Sequence, residues 1–411
     1  MAHREDARQG GIGLALAGGG PAGAVYEIGA LYALQEALDG IELTALQCYV
    51  GVSAGAFVAA CLANRMPPSL LVRILDRRVE GEVPFDPKLF FVPNYREFAR
   101  RGLTLPGLFT QALWYFLRRP FDRSVASAAT RTARALPSGI FDNEPIRKYL
   151  EELFSREGRT NDFRKLETAL VLVASELETG RAIRFGAPGH TQVPISLAVQ
   201  ASTALPGVYP PVLIDGRYCV DGVLLKTLHA SVALDEGIAL LLCVNPLVPF
   251  DASTARGHGR ALAKLNKGGL PLVLGQTFRA IIHSRMRVGM ERYRAQYPDA
   301  RIVLFEPDRE DVDMFFANIF SYWQRKRLCA IAFDKTRQSL AARAEALAPV
   351  LRKHGIAIRH DRLAQADRRI PDALLDPRPL RAQGGRATVA RTARDLSHTL
   401  DQLERAVAAA R

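Results

Sequence analysis

No run of eighteen apolar residues occurs anywhere in the 411-residue chain. A spanning helix needs about 18 or more, so none is expected. The best stretch, "IALLLCVNPLV", is interrupted by Asn245 and Pro246 and reads as a buried strand. Cysteine is sparse: the five residues Cys48, Cys61, Cys219, Cys243 and Cys329 are odd in number, isolated, and mostly set among apolar neighbours. That pattern excludes a disulfide framework and a cysteine zinc site, and fits reduced core thiols. No internal repeat occurs. The start, "MAHREDARQGG", is polar, and the apolar run behind it is too short for a signal h-region. A cytoplasmic protein is expected, with peripheral inner-membrane contact as the one departure.

What is present is the composition of a folded domain: 48% hydrophobic and 24% charged residues, in a chain long enough for one large domain with an appendage or for two. The net charge of +13 points to an anionic partner. From Asp76 to Ala135 eleven basic residues face six acidic ones, interleaved with aromatics in "LFFVPNYREFARRG" and "LFTQALWYFLRRPFDR". Such a stretch suits an anionic lipid surface and, less specifically, nucleic acid. Peripheral membrane contact is expected and nucleic-acid binding is not; the sequence sets no oligomeric state.

Periodicity predicts a strand over Ile12 to Ala17, a tight loop over Gly18 to Gly23, and a helix over Ala24 to Leu38. A strand over Leu46 to Val50, the turn "GVSAG" and a small-residue helix ending near Pro67 follow. This order opens a parallel α/β sheet whose strand-end turns gather at one edge. Residues 80–140 read as a basic, aromatic helical insertion. Regular order resumes with a helix over Asn143 to Phe154, strands over Glu167 to Ser175 and Arg181 to Phe185, and a helix over Ile195 to Ala204. A hairpin turning at Asp215-Gly216 returns to Asp221, and a core strand spans residues 239–244. The chain divides into a domain over 12–250, a mostly helical extension over 251–366, and a flexible basic tail over 367–411 with a short terminal helix.

The glycine run "GGGPAG", Gly18 to Gly23, fits a dinucleotide fingerprint. Such a site wants an acid at the end of the second strand, and Asp39 and Glu42 both precede that strand. The alternative lies in "GVSAG", Gly51 to Gly55: a serine between glycines on a strand-to-helix turn has its Oγ exposed as a nucleophile. Neighbouring parallel strands set these two loops side by side. The amides of Gly18, Gly19 and Gly20 can then face a carbonyl oxygen attacked by Ser53, where a Cβ would obstruct.

A serine still needs a base. No histidine sits at an obvious strand-end turn; His229 in "LLKTLHAS" is the better candidate and His190 in "APGHT" the next. Asp221 in "YCVDGV" ends an apolar strand and is the stronger candidate.

These residues resemble the patatin-like phospholipase family. Three marks carry the resemblance: "GGGPAG" at 18–23, "GVSAG" at 51–55 and "DGV" at 221–223; "VASELETG" and "AVQASTALPGVYPPVLIDGRYCVDG" also match. The resemblance covers about Ile12 to Leu228. It implies a three-layer α/β/α fold and hydrolysis of lipid acyl esters, as a phospholipase A or lysophospholipase does, through an acyl-enzyme on Ser53. Asp221 would be the base of a Ser-Asp dyad, and Gly18, Gly19 and Gly20 the oxyanion hole. Gly23, Gly51, Gly55 and Gly222 would support the motifs, with no metal and no cofactor. Val223 replaces the usual glycine or alanine, and Ala22 the frequent cation of the glycine loop. A non-catalytic, membrane-binding module is the alternative reading, and a dinucleotide-binding protein trails it.

Overall fold

The computed structural model describes residues 10–75, 79, 81–101, 137–251, 253, 269–310, 322–365 and 368–370. Most of the predicted insertion, the stretch 254–268 and almost all of the tail from 367 lie outside the described residues.

Eight strands form one sheet: β1 (Ile12–Leu16), β2 (Cys48–Val52), β3 (Ala169–Glu176), β4 (Ala182–Phe185), β5 (Val212–Ile214), β6 (Arg217–Asp221), β7 (Leu240–Val244) and β8 (Arg301–Phe305). The order is β8-β7-β1-β2-β3-β6-β5, with β4 also on β3. The five strands from β8 to β3 run parallel, while β4 and β6 pair antiparallel with β3. β1, β2 and β7 are almost entirely apolar and buried on both faces, as central parallel strands must be.

Strand alternation sorts the interior into two cores. Leu14 and Leu16 of β1, Tyr49 of β2 and Leu242 of β7 enter one; Ala15, Val50, Val52 and Cys243 enter the other. Helices α1 (Gly20–Ala37) and α2 (Ala54–Ala63) fill the first core. Later in the chain come α3 (Glu144–Phe154), α4 (Ile195–Ser202), α5 (Ser231–Asp235), α6 (Gly269–Gln296) and α7 (Tyr322–Ala342). α5 and α6 cover the second core, which completes the three layers expected from the sequence. α7 lies along α1, where Gly29 allows contact: a Cβ there would sit 2.3 Å from the Cys329 carbonyl oxygen. Tyr32 stacks on Phe333 at 5.4 Å across the same seam. β8 and α7, both from beyond residue 250, thus belong to the sheet and its first core.

Two boundaries differ from expectation. β2 runs on through Gly51 and Val52, because the ladder to β3 extends to Val173. α1 begins at Gly20 rather than Ala24, with Pro21 in its first turn, where a missing N–H costs nothing. The open glycine loop is therefore only Ala17 to Gly19. The Asp215-Gly216 turn is as expected: both residues have positive φ, at 49° and 76°, and Ile214 pairs with Arg217.

Candidate active site

Two strand ends meet head-on along one edge of β3. Val52 of β2 pairs with Val173, and Asp221 of β6 pairs with the next residue, Ala174. β4 holds the opposite edge at both positions, through Arg184 and Ile183. β2 and β6 must therefore share one edge, running toward each other. Ser53 is the residue that follows Val52, so the register alone brings it to Asp221.

The Ser53 hydroxyl lies beside the Asp221 carboxylate, close enough to favour its charged form. Both are buried, Ser53 6% and Asp221 1% exposed. Ser53 has φ 53° and ψ −121°, a strained backbone for a residue with a Cβ, at the start of α2. Its amide donates to Ser202 Oγ at 2.9 Å, and Ser202 Oγ donates to the Val173 carbonyl at 2.6 Å. Ser202, at the end of α4, therefore braces the strained turn against β3. Sequence reasoning did not single it out; the only signal was a polar residue in the apolar helix "ISLAVQAS".

The flanking glycines are needed for space. A Cβ on Gly55 would lie 2.4 Å from the Leu16 carbonyl oxygen, on Gly51 2.6 Å from Ala56 Cα, and on Gly222 2.3 Å from the Val173 carbonyl oxygen. Gly55 N–H also donates to the Ala17 carbonyl at 3.1 Å, tying the two loops together. A Cβ on Gly18 would meet Val223 Cγ2 at 2.9 Å and Ser53 Cβ at 3.2 Å. One on Gly19 would meet Pro246 Cγ at 2.6 Å and Gly23 Cα at 2.9 Å, so Gly23 also lies in this packed corner. Gly20 is different: it faces open space and has φ 61°. The three glycines thus run from the buried serine outward to solvent, ending at the positive end of α1. Val223 packs on Gly18, and Ala22 packs at the edge of the first core.

Burial dominates the electrostatics of Asp221 and raises its carboxyl to about 7, although the neighbouring Ser53 hydroxyl and the Val223 N–H, which donates to Oδ1 at 2.9 Å, pull the other way. Ser175 Oγ bonds the Asp221 carbonyl at 3.1 Å, and Asp221 N–H donates to Ala204. A second fully buried acid, Glu27 of α1, was also missed by sequence reasoning. Burial holds its carboxyl well above the usual carboxylate range, offset in part by the Ala17 backbone beside it.

Neither histidine reaches Ser53 as a base. His229 is buried at φ 45°, and its Nε2–H donates to the Gly222 carbonyl at 3.4 Å. Burial lowers its ring to about 4, so it is neutral and holds the turn after Asp221. His190 sits on a turn with its ring 6.2 Å from that of Phe185. Among the described residues no cluster of His, Cys, Asp and Glu is suited to a metal, and all five cysteines are buried and free. No helix among them is long and apolar enough to cross a membrane.

A narrow apolar recess of about 30 Å³ lies on the α1 and α2 side of the sheet, lined by Pro21, Ala24, Ile28, Phe57, Phe90 and Tyr149 among others. Pro21 directly follows Gly20, and Phe57 is about one helical turn beyond Ser53.

A serine on a positive-φ turn between a parallel strand and a helix is the nucleophile elbow of an α/β protein. Residues 14–234 match the model of the patatin-like phospholipase family, and the protein belongs to this family of lipid hydrolases. Among solved structures, VipD from Legionella pneumophila is 17% identical over 81% of this chain and 67% of VipD, with a TM-score of 0.36. The type III effector ExoU is 15% identical over 80% of this chain and 53% of ExoU, with a TM-score of 0.33. The complex of SpcU with ExoU from Pseudomonas aeruginosa is similar at 18% identity over 69% of this chain and 53% of the other, with a TM-score of 0.27. The chain spans about half the length of ExoU.

Proposed function

We propose that this protein hydrolyses acyl esters of lipids, in the manner of a phospholipase A or lysophospholipase, through Ser53 and Asp221. The observation that carries the reading is the strained, buried Ser53 placed beside a buried carboxylate raised to about 7. An ordinary carboxylate near pH 4 is too weak a base for a serine hydroxyl, whereas one near 7 is matched to neutral pH.

Asp221 takes the Ser53 proton as Oγ attacks the ester carbonyl. The oxyanion forms against the amides of Gly18, Gly19 and Gly20, with the N-terminus of α1 adding to the field. Collapse breaks the ester bond, and Asp221 returns its proton to the departing alcohol oxygen. Asp221 then deprotonates a water that attacks the acyl-serine, releasing the fatty acid and restoring Ser53. Lipid at a peripheral membrane surface is the proposed substrate, and no cofactor takes part.

The test compares wild type, Ser53→Ala and Asp221→Asn for fatty-acid release from mixed phospholipid vesicles and from a soluble p-nitrophenyl ester. A fluorophosphonate should label wild type and not Ser53→Ala. Equal inertness of all three proteins on both substrates would overturn the reading and leave the non-catalytic alternative.

A further inference from the structure

α6 (Gly269–Gln296) is far longer than the strands it crosses between. Its 28 residues span about 42 Å, against about 17 Å for a five-residue strand. Asn245, the residue after β7, lies with its Nδ2 3.2 Å from Met286 Sδ, so Met286 is level with the carboxyl edge of the sheet. Arg285 Nη1 donates to the Leu224 carbonyl at 3.2 Å, three residues beyond Asp221. Residues 269–284 therefore project past that edge, on the side where Ser53 lies.

The inner face of α6 is accounted for: Met286, Met290 and Tyr293 are buried in the second core. The outer face is not. Leu274, Phe278, Ile281 and Val288 are 45%, 52%, 51% and 66% exposed. With Arg285 and Arg292 they form one row at alternating spacings of four and three, a single stripe along the helix. The apolar members crowd the projecting end, with Val273 beside them, and the arginines follow. The helix carries Arg279, Arg285, Arg287, Arg292 and Arg294 against Glu291 as its one acid. Behind the stripe, a groove of about 390 Å³ between α6 and residues 225–235 adds Lys226 to Arg285 and Arg292, with Asp235 held by Tyr297.

We infer that the outer face of α6 docks this protein on an anionic lipid bilayer, with Leu274, Phe278 and Ile281 in the acyl region and Arg285, Arg292 and Lys226 at the phosphates. Charge selects this occupant over a second copy: parallel pairing along the stripe would oppose Arg285 to Arg285 and Arg292 to Arg292, and antiparallel pairing would press arginines on apolar side chains. A bilayer takes both kinds in the order the helix presents them, since arginine stems lie along apolar surface while their heads reach phosphate. The basic, aromatic stretch at 80–135 is not required for this contact. The inference gives the lipid-hydrolase reading its approach to substrate and rests on that reading for its purpose, although the binding stands or falls by itself.

The experiment is co-sedimentation of the full chain with vesicles of phosphatidylcholine alone and with added phosphatidylserine, for wild type, Phe278→Glu/Ile281→Glu and Arg292→Glu. Each substituted side chain is exposed, and thermal denaturation and soluble-ester turnover check that the fold is intact. Wild type should bind the anionic vesicles, weaken as salt rises, and lose on the order of tenfold or more in partitioning in the double variant, with a smaller loss in Arg292→Glu. Vesicle turnover should fall in parallel while soluble-ester turnover holds. Wild-type binding by a folded double variant would overturn the inference. So would a wild-type dimer in sedimentation that Phe278→Glu/Ile281→Glu dissociates while vesicle binding persists. Anionic-vesicle binding lost in the double variant, with no ester turnover by wild type, would support the docking face and overturn the hydrolase reading instead.

Discussion

Glu27 and Asp221 are the most deeply buried acids among the described residues, and they sit in different company. Asp221 ends β6, and its carboxylate accepts the Val223 amide and lies beside the Ser53 hydroxyl. Glu27 lies inside α1 with neither carboxyl oxygen hydrogen-bonded, and the nearby Ala17 N–H donates to Val244. Burial raises both. At Asp221 the Val223 amide and the Ser53 hydroxyl offset burial and leave the carboxyl at about 7, whereas Glu27 is held well above the usual carboxylate range. In the proposed mechanism it is this offset that suits Asp221, and not Glu27, to serve as the base.

The sharpest way to break this contrast is activity on the soluble ester. Ser53→Ala and Asp221→Asn should each lower kcat by about 10³-fold or more, while Glu27→Gln should stay within about threefold. An equal collapse in Glu27→Gln would put both acids in the same role. Next in size is the pH profile: kcat/KM of wild type should rise roughly tenfold per pH unit up to about 7 and then level, as Asp221 loses its proton. Glu27→Gln should leave that inflection in place.

Stability bears on the two acids with the same sign and is read through the pH window of each. A carboxyl raised in the folded state favours folding below its unfolded value, and that advantage is lost as pH rises toward the folded value. For Asp221 the loss runs from about pH 4 to about 7, so Asp221→Asn should gain on wild type by roughly one kcal/mol per pH unit over that window and then hold constant. For Glu27→Gln the gain should also start near the usual carboxylate range and run up through the raised folded-state value. Denaturant melts at pH 4, 6, 7 and 8 read both curves, and coincident curves would remove the distinction. The smallest effect concerns Val223, whose Cγ2 would lie 2.9 Å from a Cβ on Gly18. Val223→Ala should raise kcat/KM for bulky acyl esters by about threefold, by widening the space beside the glycine loop.

Much of the fold was legible because it is local. The strand, glycine loop and helix at 12–37, the elbow at 51–55 and the Asp215-Gly216 hairpin each announce themselves within about twenty residues. The start of α1 was misjudged because glycine has a poor helix propensity, yet Gly20 and Pro21 suit a first turn. The site was legible as residue types but not as an arrangement. That Ser53 meets Asp221 follows from two ladders on one edge of β3, and registers between strands distant in sequence leave no local trace. Ser202 was overlooked and the bond of His229 went unread because their partners are backbone groups, Ser53 N–H and the Gly222 carbonyl, which residue types do not reveal.

The shared edge of β3 makes that strand a ruler for the chemistry. Neither Ser53 nor Asp221 can be repositioned without the other's partner strand moving along the same eight residues, Ala169 to Glu176. Deleting one residue near Val173 would shift Val52 and Asp221 against each other and turn alternate side chains to the opposite face. Such a deletion would silence the protein with every candidate site residue still present, so inventories of motifs in related chains need the spacing within this strand as much as the serine and the aspartate.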